Sequence, residues 1–137
     1  IDGYRQACER AMRPGLGQLV HEMALYSRVL VVGTEECMLP GLDLGSQLAG
    51  MRPDLTVRFQ ATTRSPIGVA QASRYPIWAG WEIPSFYEAD RRTYIYDLEC
   101  YDAAVIVSDS DMPCRAKAEH VLIDLLKSRG VQKVFLC

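Results

Sequence analysis

Thr62, Thr63, Arg64, Ser65 and Pro66 bring three hydroxyls and a guanidinium together within five residues. These donors match the several oxygens of a phosphate or carboxylate, with Arg64 the first choice for an anion ligand. The same residues also describe an ordinary turn, in which Thr and Ser hydroxyls cap local backbone, Pro66 fixes the exit and Arg64 is solvated or salt-bridged. A second loop, Gly33, Thr34, Glu35, Glu36, Cys37, holds adjacent carboxylates. They could accept hydrogen bonds from ribose hydroxyls, polarise a metal-bound water or pair with Arg64; as plain early-helix residues they would be favoured by the helix dipole. A third loop, Ser108, Asp109, Ser110, Asp111, offers Mg²⁺ or diol binding by Asp109 and Asp111, unless one of them simply caps the next helix. Cys37 stands near a helix start, but Glu35 and Glu36 oppose a thiolate and no His is local, which argues against a nucleophile. His120, three residues after Lys117, reads as an ordinary helical histidine.

The elements around these loops predict where they meet. A helix from about Tyr4 to Met12 is expected to break at Pro14 and Gly15. A second then buries Leu16, Leu19, Val20 and Met23 at i, i+3, i+4, i+7. Val29 to Val32, ended by Gly33, is a continuous apolar run suited to a parallel strand covered on both faces. A helix from about Met38 or Pro40 to Leu48, stopped by Gly50, leads to a strand in which Leu55, Val57 and Phe59 alternate with polar residues. Ile67 to Arg92 loses periodicity and collects Tyr75, Trp78, Trp81, Phe86 and Tyr87, which predicts an irregular or hairpin-like insert serving as a lid or as packing. A short strand at Tyr94 to Tyr96 and a buried one at Ala103 to Val107 follow. The last helix buries Ala118, Val121, Leu122, Leu125 and Leu126, with Pro113 near its first turn and Gly130 past its end, and Val131 to Leu136 is a closing strand.

Two β-α-β units with right-handed crossovers predict an α/β fold: a three-layer, Rossmann-like, mainly parallel sheet with helices on both faces. Ligands of such sheets bind outside the carboxyl ends of the strands, and all three loops leave those ends.

The 137 residues suit one domain, residues 1–137, with a single core. A formal net charge of -2 with interspersed signs argues against nucleic acid as a partner. No apolar run approaches the roughly 20 residues that cross a bilayer, so no membrane partner and a cytoplasmic location are expected. Cys8, Cys37, Cys100, Cys114 and Cys137 are widely spaced without a CxxC pair, which predicts reduced thiols and no structural zinc. A start at Ile1 and an end on the apolar Val134 to Cys137 predict a C-terminal fragment of a longer protein.

Val31, Val32, Gly33, Thr34, Glu35, Glu36 together with Thr62, Thr63, Arg64, Ser65, Pro66 resemble the TRSP domain family, named for its Thr-Arg-Ser-Pro motif, over essentially the whole chain. The resemblance implies a module behind a phosphoribosyltransferase domain in bacterial gene clusters linked to tellurite resistance and stress response, with a nucleotide-like metabolite as the proposed product. Ala104 to Asp111 and Leu125 to Val131 are also similar to the phosphoribosyl-diphosphate motif region of type I phosphoribosyltransferases. There an acidic pair holds ribose hydroxyls and a Thr/Gly-rich loop wraps the 5-phosphate. Here Met112, Pro113, Cys114 and Arg115 stand in place of that cradle, and Pro113 removes a donor. The resemblance thus implies a diverged type I phosphoribosyltransferase fold whose anion site has moved to the Thr62 to Pro66 loop.

Three functions follow from these readings. The leading expectation is an accessory domain that binds a phosphorylated small molecule or nucleotide for the upstream phosphoribosyltransferase domain. Thr62, Thr63, Arg64 and Ser65 would hold the anion, with Gly33, Thr34, Glu35, Glu36, Asp109 and Asp111 around the hydroxyls. A second is a Mg²⁺-dependent phosphoribosyl-transferring enzyme. A third is an interaction or homodimer module that docks through Trp78, Trp81, Phe86 and Tyr87.

Overall fold

A computed structural model describes residues 2–74 and 76–137; Tyr75 of the aromatic insert lies outside them. The chain runs α1 (Asp2–Glu22), β1 (Arg28–Gly33), α2 (Met38–Met51), β2 (Thr56–Ala61), β3 (Gly80–Pro84), β4 (Arg92–Tyr96), β5 (Ala103–Val107), α3 (Arg115–Ser128) and β6 (Lys133–Leu136). The main sheet has the order β2-β1-β5-β6 and is parallel throughout; β3 and β4 form a separate antiparallel hairpin. From the β1/β5 pair the chain winds outward in both directions. With right-handed crossovers, that places α2 and α3 on opposite faces, the expected three-layer α/β arrangement.

The period of two along each strand divides the core accordingly. Val29, Val31, Ala103 and Val105 face α1 and α2, packing with Leu16, Met23, Leu44 and Leu48. Leu30, Val32, Ala104 and Ile106 face α3 and the hairpin, packing with Ile83, Phe86, Ile95, Leu122 and Leu126. Val29 to Val32 and Ala103 to Ile106 are thus buried on both sides, which is why they carry no alternation in sequence.

The helices before β2 run past the stops expected from the sequence, while β4 starts at Arg92 and β6 only at Lys133. α1 is one continuous helix through Pro14 rather than two. Met12, Leu16, Leu19, Val20 and Met23 form one unbroken stripe against the core, while Pro14 sits on the exposed side, where water can reach the carbonyl its missing N–H leaves free. α2 likewise passes Gly50 and ends only at Met51, capped by Arg52, whose N–H donates to the Leu48 carbonyl at 2.9 Å. The stop after α3 is as expected: Gly130 adopts φ +97°, its N–H donates to Lys127 and that of Val131 to Leu126, a closure that packs Val131 beside Leu126.

Asp102 ties the opposite, amino edge of the sheet together, its Oδ2 accepting the Arg28 and Ser27 N–H groups at 2.8 and 2.9 Å. The Arg28 bond, then that of Ser27, lowers its pKa below the ordinary aspartate value. A lowered carboxylate pKa contributes stability that is full above the unfolded value and is lost as pH falls through the folded one. Urea unfolding of Asp102→Asn is therefore expected to show a deficit at neutral pH that shrinks as the solution is acidified. A deficit constant across the acid range would refute the titration of Asp102 as its source.

Candidate functional site

Because β1, β2 and β5 are parallel and adjacent, the loops after them meet at one edge of the sheet. Immediately past Gly33 the Thr34 N–H donates to the Val107 carbonyl, and the chain turns through Glu35 in the left-handed region at φ +45°. That turn sends the Glu35 carboxylate inward, to 0% side-chain exposure. There Oε1 accepts the Ser85 hydroxyl at 2.6 Å and the Phe86 N–H at 3.0 Å, while Oε2 accepts the Arg64 Nε–H at 3.1 Å. The Glu35 N–H donates to Thr62 Oγ1 at 2.9 Å. One residue therefore joins the loop after β1, the loop after β2 and the loop that connects β3 to β4. With both oxygens engaged and a guanidinium beside them, Glu35 is a positioning group whose buried charge is compensated. Gly33 makes this loop possible: a Cβ there would meet the Cys37 carbonyl oxygen at 2.8 Å and the Phe59 ring at 3.1 Å.

The Thr62 to Pro66 loop has features of both sequence readings. Thr62 is buried and bonded to Glu35, and Thr63 exchanges backbone hydrogen bonds with Tyr94 while its hydroxyl accepts the Ser65 N–H at 3.2 Å, a local turn. The Tyr96 hydroxyl donates to the Ser65 carbonyl and accepts the Ile67 N–H. Arg64 remains at the surface with 43% side-chain exposure, its Nη2 3.1 Å from the carboxylate of Glu36, itself 70% exposed. The Glu35 hydrogen bond, then the charge of Glu36, raises the Arg64 pKa still further and keeps it cationic.

Across β1, a second cluster forms around Asp109. Its Oδ1 accepts the Tyr87 hydroxyl at 2.5 Å, and that hydroxyl also lies 3.3 Å from the Thr34 carbonyl. Burial, and then the bond to Asp109, pushes the Tyr87 pKa up to about 12, so the phenol stays protonated and donates. Neither Asp109 nor Asp111 caps α3, contrary to the capping alternative: the helix starts at Arg115 after Cys114, with Ser110 to Cys114 intervening. Ser110 is the organising residue there, donating to the Phe86 carbonyl at 2.5 Å and accepting the Met112 N–H at 3.2 Å. Cys37 is buried, and burial followed by the nearby Asp109 charge raises its pKa to about 11, the reverse of an activated thiol.

Arg64 pairs with Glu35, one of the alternatives its composition offered, and the Tyr87 hydroxyl lies between the Thr34 carbonyl and Asp109, whereas Asp111 is exposed. Sequence reading missed Ser85 as a partner of Glu35 and Tyr87 as a partner of Asp109. Fifty residues separate Ser85 from Glu35, and no local pattern carries such a pairing. Phe86 is not a docking aromatic but a core residue at 0% exposure. Trp81 lies under the Arg129 guanidinium, 5.1 Å from its ring centroid, leaving Trp78 as the exposed one of the pair. Among the described residues no three His, Cys, Asp or Glu side chains converge to hold a metal ion, and no helix is long and apolar enough to cross a membrane.

A family model described as "TRSP domain C terminus to PRTase_2" matches residues 3–126, which contain all three loops. None of the curated proteins matches the chain.

Proposed function

We propose, from the premise that this chain belongs to the TRSP domain family, that it serves a phosphoribosyltransferase-type domain as an accessory module. In this role it binds a phosphorylated or nucleotide-like ligand at the carboxyl edge of its sheet. The observation that carries the reading is the unequal treatment of the Arg64 guanidinium. Buried Glu35 holds its Nε in place, while the outer nitrogens meet only solvent-exposed Glu36. An incoming phosphate would replace Glu36 and gain a guanidinium that is already oriented, with the Ser65 hydroxyl beside it. Thr62 and Thr63 shape the loop, the Gly33 carbonyl supports it from β1 by accepting the Thr62 N–H, and Thr34 braces the Asp109 side through Val107 and Tyr87. Asp109 is suited to accept hydrogen bonds from ligand hydroxyls. Mg²⁺ would enter, if at all, with the phosphate groups of the ligand rather than in a protein cage.

The test is ligand-induced thermal stabilisation of the full-length protein with phosphoribosyl diphosphate, nucleotides and inorganic phosphate. Arg64→Ala is expected to weaken the response by roughly ten- to a hundredfold in apparent affinity, the loss of a hydrogen-bonded charge. Glu36→Gln should strengthen it by removing the competing carboxylate. An unchanged response in Arg64→Ala would exclude the loop as the anion site.

A further inference from the structure

Beside the Asp109 cluster, between α1, the start of α2 and the carboxyl ends of β5 and β6, lies a cavity of about 380 Å³. It opens where the chain winds off in opposite directions to α2 and α3, the crevice position of an open parallel sheet. From this cavity we infer a subsite for a planar heteroaromatic ring with the dimensions and polar edge of a nucleobase.

Three features define that occupant. On α1 the small residues Ala7, Ala11 and Gly15 recur every four residues along the lining, with Tyr4, Cys8 and Met12 beside them. Pro40 of α2 and Val107 of β5 add to the apolar lining. The lining is therefore mainly apolar, which suits the faces of an aromatic ring and gives no compensation to a phosphate. Its one carboxylate is Asp109, held by the Tyr87 hydroxyl and suited to accept from the N–H edge of a base. An acyl chain would instead offer no donor to the carboxylate oxygen that Tyr87 leaves free. The volume lies within the range of small-ligand sites.

This inference rests on the proposed ligand-binding reading only in assigning ring and anion to one molecule. Cys8 lines the same cavity and supplies a local reporter. In the full-length protein, adenosine at ten times its Kd should slow maleimide alkylation of Cys8 about tenfold by mass action. The effect should vanish in Ala11→Trp, which fills the cavity from an exposed helix position, or in Ala7→Phe if the first variant does not fold. Inorganic phosphate should still act through Arg64 in both variants. If adenosine and guanosine leave Cys8 alkylation unchanged, the ring subsite is refuted, and an Arg64-dependent phosphate response would then stand alone. Protection by adenosine that persists in Arg64→Ala, without any phosphate response in the parent protein, supports the subsite and refutes the anion loop. Protection by decanoate in preference to adenosine would identify an acyl pocket and overturn the inference.

Discussion

Glu35→Ala is expected to lower unfolding stability by about 3–5 kcal/mol, the cost of breaking a buried ion pair from one side. Its carboxylate is wholly enclosed, and three donors lose their acceptor together: the Ser85 hydroxyl, the Phe86 N–H and the Arg64 Nε–H. Of these, Arg64 can turn to water, but Ser85 and Phe86 are fully buried and cannot. Glu35→Gln keeps the shape and one acceptor, so its loss should be smaller. Urea denaturation with the slope m unchanged would measure both. A loss below about 1 kcal/mol for Glu35→Ala would mean that the network is worth no more than an exposed pair. The result also bears on function, because an unanchored Arg64 would lose its orientation as well as its partner.

Phe86→Ala should cost a similar amount, about 3–5 kcal/mol, from the transfer of a large aromatic side chain and the void it leaves. Phe86 is at 0% exposure among Leu30, Val32, Ile83, Ile95 and Ile106, so the loop between β3 and β4 is part of the core rather than a lid resting on it. Its backbone is equally committed, the N–H to Glu35 and the carbonyl to Ser110. The Glu35 and Phe86 substitutions therefore act on one network, and the double variant should fall short of the sum of the two losses. If Phe86→Ala leaves the urea midpoint intact and instead weakens association with an upstream transferase domain, the interaction reading of this segment returns.

The parallel sheet, its helices and the common edge of the three loops were legible in the residues because burial on both faces leaves a direct signature. Val29 to Val32 and Ala103 to Val107 have no polar alternation, and Gly130 marks a stop that only a residue tolerant of positive φ makes inexpensive. The break expected at Pro14 failed because proline reports a local preference, whereas the helix obeys the continuous stripe from Met12 to Met23 that packs on the core. The hairpin β3–β4 was legible in part, as a hairpin-like insert and a short strand at Tyr94 to Tyr96, but its first strand, Gly80–Pro84, carries no alternation that marks it out from the aromatic-rich segment before it.

For the site, residue types and their places after strands nominated Arg64, Glu35, Glu36, Asp109 and Asp111, each beside a structural alternative such as a turn, a helix start or a cap. What each does was a matter of tertiary structure. Glu35 and Glu36 are neighbours with the same side chain, yet one is enclosed by Ser85, Phe86 and Arg64 and the other faces water. That difference arises from a single left-handed turn at Glu35 and from a hairpin fifty residues downstream. Chemistry of a side chain is written in the sequence; its solvation is set by whichever distant segment folds against it, and solvation decides whether a carboxylate supports the site or lies open to displacement.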